Sequence, residues 1–439
     1  MLAVRRLSWG IADQGMSSLT NFAVGIYCAR SLPAAQYGAF SLAYVTYASI
    51  LNASRGLGTD PLLVRFSGSE LRVWRRAVAS CTGTATTIGV LAGIVVVAVG
   101  LLMSGPPKLA FIALGLTLPG LMLQDSWRFS FFALGRGNLA FVNDTVWAIF
   151  LIPSLILLHQ TGHSNVFWFI IAWGASGAMG ASVGPLQSRV VPKLSDALTW
   201  VREHRDLGPR YLLEGTASSG AGQLRSYGVG LLLGLAPLGY VQAVTTLMGP
   251  FTVVAFGIAL VALPEAASLW KRSPHRLPLY CAGISVGLSV LALGWGAVLL
   301  VALPRGLGQA LIGNIWHPTY KLVIPATLAT VGVCASGGAG TGMHALGAAR
   351  YSLRAMVITS AISLAGGLAG AAVYGAVGTM DGSAIGTGAG VFIYWWFWRR
   401  ALREAGAYPS GTGKQSGRHR RARGYDTEDS LISPDGNAV

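Results

Sequence analysis

Three arginines stand inside long apolar stretches of the chain: Arg55, Arg128 and Arg225. A guanidinium at the centre of a bilayer costs about 2.5–3.5 kcal/mol even on insertion scales, so it must face water, a ligand or an acid. Arginine also grips phosphate and carboxylate groups through paired charge-assisted hydrogen bonds. The three therefore either line a hydrated cavity or are neutralised by neighbours. Asp125 lies one helical turn before Arg128, and Asp60 follows Arg55 at a helix end kinked by Pro61, so local pairing is open for both. Around Arg225 the spacing says more. Glu214, Ser218, Gly222 and Arg225 fall at i, i+4, i+8 and i+11, within about 80° on one helix face. Gln14, Ser18 and Asn21 draw a second polar face at i, i+4 and i+7. Two such stripes predict the wall of a watery cavity. Arg55, Arg225, Arg128, Gln14, Asn21, Ser18, Glu214 and Ser218 are the candidate substrate contacts, and Asp125, Glu214 and Asp60 the candidate coupling carboxylates.

The elements that carry these residues are membrane spans. Of 439 residues, 53% are hydrophobic and 11% charged, and the mean hydropathy is +0.55. Soluble domains carry about 25% charged residues. Runs such as Thr84–Met103 and Cys281–Leu303 are long enough to cross a hydrocarbon core of roughly 30 Å at 1.5 Å per residue. The pattern predicts an all-α membrane protein with about twelve transmembrane helices, at 8–30, 36–62, 77–103, 108–134, 139–159, 164–187, 210–233, 238–263, 278–303, 319–345, 351–375 and 381–401.

Charge sets their direction. The net charge is +16, which in a soluble protein would suggest nucleic acid. Here the basic residues recur in every second connection: Arg65, Arg72, Arg75 and Arg76; Arg136; Arg189, Lys193, Arg202, Arg205 and Arg210; Lys271, Arg272 and Arg276; Arg350 and Arg354. The other connections hold only Arg30, Lys108, Arg305 and Lys321. This phase is that of cytoplasmic loops and places both termini in the cytoplasm. No nucleic-acid partner is expected.

Four units follow: an N-terminal six-helix lobe at 1–187, a cytoplasmic connecting loop at 188–209, a C-terminal six-helix lobe at 210–402, and a disordered cytoplasmic tail at 403–439. Within the loop, Ser195–His204 has the pattern of a short amphipathic helix at the membrane surface. Phe22-Ala-Val-Gly-Ile matches Tyr227-Gly-Val-Gly-Leu, and each is followed by a tyrosine opening the next span, Tyr37 and Tyr240. Parallel repeats about an axis along the membrane normal are the expected relation. Cys28, Cys81, Cys281 and Cys334 are scattered through apolar stretches as small packing residues. The glycine runs at 337–342 and 386–390 follow no strand and are expected to pack helices closely rather than bind phosphates. Asn143 and Asp144, near a span end, are expected at the interface. No nucleophile–base pair, metal cluster or Walker lysine is present in the sequence, so neither metal nor cofactor is expected and the chain is not read as an enzyme.

The opening stretch, Ala12-Asp-Gln-Gly-Met-Ser-Ser-Leu-Thr-Asn-Phe, leads to Ala29-Arg-Ser-Leu and Tyr37-Gly-Ala-Phe-Ser-Leu-Ala. Over roughly the first 65 residues this resembles the polysaccharide-biosynthesis branch of the multidrug/oligosaccharidyl-lipid/polysaccharide (MOP) exporter superfamily. The resemblance implies two six-helix lobes forming a V that opens to alternate sides of the bacterial cytoplasmic membrane. It implies a flippase for a polyprenyl-diphosphate-linked oligosaccharide in cell-surface polysaccharide biosynthesis, with polysaccharide-assembly proteins as partners. By type and depth, Arg55, Arg225 and Arg128 are the matching cationic residues for a diphosphate. A cation-coupled multidrug antiporter of the same superfamily is the alternative, with Asp125 and Glu214 as cation ligands. A membrane polymerase or glycosyltransferase fits less well, since such enzymes generally carry their catalytic groups on a sizeable outer loop.

Overall fold

A computed structural model describes residues Leu2–Gly406, without the side chains of residues 2–8, Ile11, Ser218 and Leu260. The tail expected to be disordered lies, beyond Gly406, outside the described residues. Those described are almost entirely helical, with no strand among them. The first half contains α1 (Leu2–Ser31), α2 (Ala34–Ser54), α3 (Asp60–Phe66), α4 (Leu71–Leu102), α5 (Gly105–Ala133), α6 (Gly137–Gln160) and α7 (Val166–Ser188). A short α8 (Ala197–Glu203) bridges to α9 (Gly208–Leu233), α10 (Leu235–Leu247), α11 (Gly249–Arg272) and α12 (Leu277–Ala302). Then come α13 (Gly308–Ile312), α14 (Trp316–Tyr320), α15 (Val323–Ala345) and α16 (Ala349–Glu404).

Every expected span falls on helix, but among the described residues eight helices are long and apolar enough to cross a membrane by length and composition. Helices α1, α2 and α9, of 30, 21 and 26 residues, stand outside that set although their length suffices. Of these, α1 and α9 carry the polar stripes expected to wall the cavity. The chain is a multi-pass membrane protein. Its lipid-facing surface is visible in exposed residues such as Leu91, Ile94 and Val95 on α4 and Val286, Val290 and Val298 on α12.

At 56 residues, α16 would extend about 84 Å if straight, far beyond a bilayer. It turns back at Tyr374 and Gly375, whose dihedrals are non-helical and whose glycine has φ 64°. The two arms then meet backbone to backbone. A Cβ on Gly370 would sit 2.0 Å from the Gly378 carbonyl, and one on Gly366 2.8 Å from that of Gly382. At the open end Glu404 accepts from the Tyr351 hydroxyl and from Arg350. The glycines of the two runs pack helices too: Gly338 against Cys281, Gly342 against Trp398, Gly386 against Ser363. All four cysteines are free and buried.

In the first half α5 packs on α4 and α7, with α6 lying against α7 and α1. In the second, α15 packs on α12, α11 and α16, and α9 lies on α16. Between them stands α2, which touches α5 on one side and α9 and α10 on the other. Its crossing with α10 is reciprocal. A Cβ on Gly38 would come 1.8 Å from the Leu235 carbonyl, and one on Gly239 2.6 Å from that of Ala34. The same sequence spacing separates Ala34 from Leu235 and Gly38 from Gly239, so the contact maps onto itself when the halves are exchanged.

The connecting loop carries the expected short helix. Trp200 and Ala197 of α8 are buried against protein, with the indole 5.8 Å from the Phe66 ring, while Leu198 on the same helix is exposed. Two tethers explain this: Lys193 donates its N–H to Ala79 (2.8 Å), and Arg65 binds Asp206 (2.6 Å) and the Glu203 carbonyl (3.2 Å).

Candidate functional site

A cavity of about 680 Å³ lies between the halves. Helix α1 contributes Ser18, Asn21 and Gly25; α2 contributes Tyr37, Phe40 and Tyr44; α10 and α11 contribute Gln242, Thr245, Thr246 and Thr252. The α1 stripe faces it because residues three and four apart share a helix face; Gln14, one turn away, donates to Ser18 at 3.2 Å. The wall is mostly aromatic and aliphatic, with neutral hydroxyl and amide groups set into it, and among the described residues no charged side chain lines it. The Gly38–Leu235 and Gly239–Ala34 crossing brings α2 and α10 into backbone contact beside Tyr37, which lines the cavity. Toward the basic end, Gln14, Gly15 and Leu19 of α1 are exposed.

Hydrogen bonds hold the halves together along α2. The Tyr37 hydroxyl meets Thr246 at 3.3 Å, Thr46 meets the Tyr227 hydroxyl at 2.7 Å, and the Asn52 amide donates to Ser219 at 2.7 Å. Below them the helix opens into a π turn, Arg55–Thr59, where a Cβ on Gly56 would meet the Leu212 nitrogen at 2.7 Å. Such one-residue insertions re-aim side chains and recur at functional sites.

Arg55 begins that turn. Its guanidinium donates Nε and Nη2 to the two oxygens of Asp125, at 2.9 and 2.6 Å, and lies 4.7 Å from the Phe129 ring centre. Its partner is thus Asp125 and not Asp60. Arg128 takes other acids: Asp13 at 2.6 Å and Asp144 at 3.5 Å, with the Gln14 carbonyl at 3.2 Å. The Gln124 amide donates to Asn143 (3.0 Å) and Asp144 (2.7 Å), and Asn143 donates to the Gly180 carbonyl (2.7 Å). Asn143 and Asp144 are therefore buried, not interfacial. They occupy the second turn of α6, where α5 and α7 cover them. Arg128 has a side chain 10% exposed and Asp13 one 0% exposed, whereas Arg55 is 31% exposed. Three carboxylates face two guanidiniums, and Asp13 Oδ1 has no hydrogen-bond partner.

The α9 stripe does not line one cavity. Glu214 shares a surface groove with Asp60 and Tyr211, while Gly222 and Arg225 face a separate cavity with α15 and α16. Eleven residues span about 16 Å along a helix, enough for the stripe to pass from one set of neighbours to another. Arg225 donates to Ser383 at 3.0 Å and is apart from Arg55 and Arg128, which belong to the first half. The side chain of Ser218 lies outside the described ones. Asp13, Ser383 and the polar residues of α10 were not among the candidate site residues, and Asp144 was expected at the interface. Asp13 abuts Gln14 but points about 100° from its stripe, so it reads as an exception to that face, not as part of a second one.

No family model and no curated protein matches the chain. Solved structures do. An inward-facing multidrug-resistance MATE family transporter of the MOP superfamily superposes with a TM-score of 0.69 at 14% identity, covering 89% of this chain and 95% of that one. The lipid II flippase MurJ in an inward closed conformation gives 0.67 at 12% identity, over 92% and 88%. A MOP superfamily transporter from Pyrococcus furiosus, whose binding pocket is described as reversed in polarity, gives 0.52 at 13% identity, over 92% and 96%. At these identities the likeness is one of fold: the chain has the fold of MOP superfamily transporters.

Proposed function

We propose that the chain flips a polyprenyl-diphosphate-linked oligosaccharide across the bacterial cytoplasmic membrane, for cell-surface polysaccharide biosynthesis. Two six-helix lobes, 1–187 and 210–402, alternate access to the cavity between them, with the basic connections and both termini in the cytoplasm. The observation that carries this reading is the chemistry of the central wall. Ser18, Asn21, Gln242, Thr245 and Thr246 offer neutral donors and acceptors among aromatic faces, which suits sugar hydroxyls, and no carboxylate stands there to attract a cationic drug. Arg55, half-buried at the π turn, is placed to exchange Asp125 for a diphosphate passing the basic end. One of the solved structures of like fold is a lipid II flippase.

The test is transfer of a fluorescent lipid-linked oligosaccharide in proteoliposomes. Wild-type chain moves it between leaflets, while Asn21→Leu with Gln242→Leu, or Arg55→Ala alone, slows transfer about tenfold or more. Transfer unaltered by all these changes sinks the site assignment. A second reading, the cation-coupled multidrug antiporter, draws on one observation: the excess carboxylate among Asp13, Asp125 and Asp144, with the unpartnered Oδ1 of Asp13. Dye efflux driven by a sodium or proton gradient, without glycolipid transfer, decides for it.

A further inference from the structure

The second arm of α16 carries a stripe that takes no part in the central cavity. Phe392, Trp395, Trp396 and Arg399 fall at i, i+3, i+4 and i+7, within about 100° on one helix face. The first arm runs antiparallel beside them, and its Ile358 forms the opposite wall of an open groove of about 570 Å³. All the residues that line this groove belong to α16. Phe392 is 79% and Trp396 57% exposed, so the groove opens onto the surface that meets lipid. Trp395 is anchored from behind, where its indole N–H donates to the Ala335 carbonyl of α15 at 2.9 Å.

Charge is uneven at the basic end of the groove. The hairpin closes there with Arg350, Arg354, Arg399, Arg400 and Arg403, and the acid among them is Glu404. Glu404 is already held by Arg350 and the Tyr351 hydroxyl, with Arg400 at 3.5 Å. Among the described residues, the side chains of Arg354, Arg399 and Arg403 make no ion pair and no hydrogen bond. Arg399 lines the groove itself, and Arg354 lies one turn from Ile358 on the same helix face. An unpaired arginine from each arm therefore flanks the mouth. Tryptophans at a membrane interface are ordinary and by themselves name no ligand. A concave aromatic wall that ends in unneutralised guanidiniums says more. A phospholipid meets both demands, with an acyl chain for the wall and a phosphate for the arginine forks at interface depth. An anionic headgroup suits them better than a zwitterionic one, which would set its own cation beside them.

We propose that this groove on α16 binds one anionic phospholipid of the surrounding membrane, with an acyl chain along Ile358, Phe392 and Trp395 and the phosphate between Arg354 and Arg399. The site faces outward and does not depend on the cargo proposed above: binding there is measured without transport.

The full chain is reconstituted in nanodiscs of equimolar phosphatidylglycerol and phosphatidylcholine with matched acyl chains, and the lipids it retains are weighed by native mass spectrometry. Wild type is expected to keep one phosphatidylglycerol in preference to phosphatidylcholine. Each arginine near an anionic headgroup is worth about fivefold in affinity, so Arg354→Gln with Arg399→Gln is expected to cut that preference about twentyfold. Ile358→Trp fills the groove, leaves both arginines in place and is expected to displace the lipid as well. Arg202→Gln with Arg205→Gln removes the same charge from exposed positions of the connecting loop and is expected to change nothing. The proposal is overturned if wild type retains the two lipids equally, or if Ile358→Trp keeps phosphatidylglycerol as wild type does. It is overturned equally if the loop pair lowers retention as much as the groove pair, which would make the effect one of surface charge. A dimer that carries no phosphatidylglycerol and that Ile358→Trp dissociates would assign the groove to a second copy of the chain instead.

Discussion

Arg128 shows how a charge is kept inside this membrane protein. Asp13 from α1, Asp144 from α6 and Gln14 converge on it from elements far apart in sequence. Removing one partner of a buried ionic set leaves uncompensated charge and costs about 3–5 kcal/mol. Arg128→Met is expected to lower stability by that amount, measured by denaturant unfolding in detergent. Arg128→Lys is expected to recover less than half of it, since a point charge cannot serve acids on two sides of a planar fork. That these arginines need partners follows from the sequence alone, because hydrophobic context sets the cost. Which acids they take does not. Asp125 stands one turn from Arg128, yet its carboxylate is held by Arg55 from another helix. Partner choice depends on which helix faces which, and no spacing within a segment encodes that.

At the level of elements, hydropathy located the helices because lipid contact demands an apolar surface of fixed length. It was least informative where helices are polar: α1, α2 and α9 do not register among the apolar spans, whereas the turn in α16 at Gly375 falls where one expected span, 351–375, ends. The α9 stripe was legible as a face, but its division between two cavities was set by neighbours. Close helix pairs depend on glycine where backbone meets backbone. Gly370→Val drives a side chain into the Gly378 carbonyl and is expected to cost at least about 1–3 kcal/mol, read as a lower melting temperature by circular dichroism. Gly388→Ala, with nothing within 4 Å of its Cβ, is the control and is expected to be neutral or stabilising. Equal effects of the two would show that α16 is not a close-packed hairpin.

For the whole molecule, the reciprocal contact of α2 with α10 beside the cavity-lining Tyr37 is expected to shut one end of the central cavity. Gly38→Val cannot be accommodated there and is expected to bias the chain toward a form open at that end. Cys28, fully buried on α1 three residues before its end, reports on this. With the other three cysteines replaced by alanine, its maleimide labelling is expected to rise severalfold in Gly38→Val. Unchanged labelling would mean that the crossing is not a gate.

Separating the halves would break the three side-chain hydrogen bonds that α2 makes across the cavity, from Tyr37, Thr46 and Asn52. In net terms each is worth about 0.5–1.5 kcal/mol, since water or cargo replaces the lost partner. Their sum is thus a few kcal/mol. Moving an equilibrium from 1:99 to 99:1 takes about 5.5 kcal/mol of differential binding. A latch of this strength holds one conformer at rest yet yields to a single well-fitted cargo. Occupancy itself can throw the switch, and the resting molecule need store no strain.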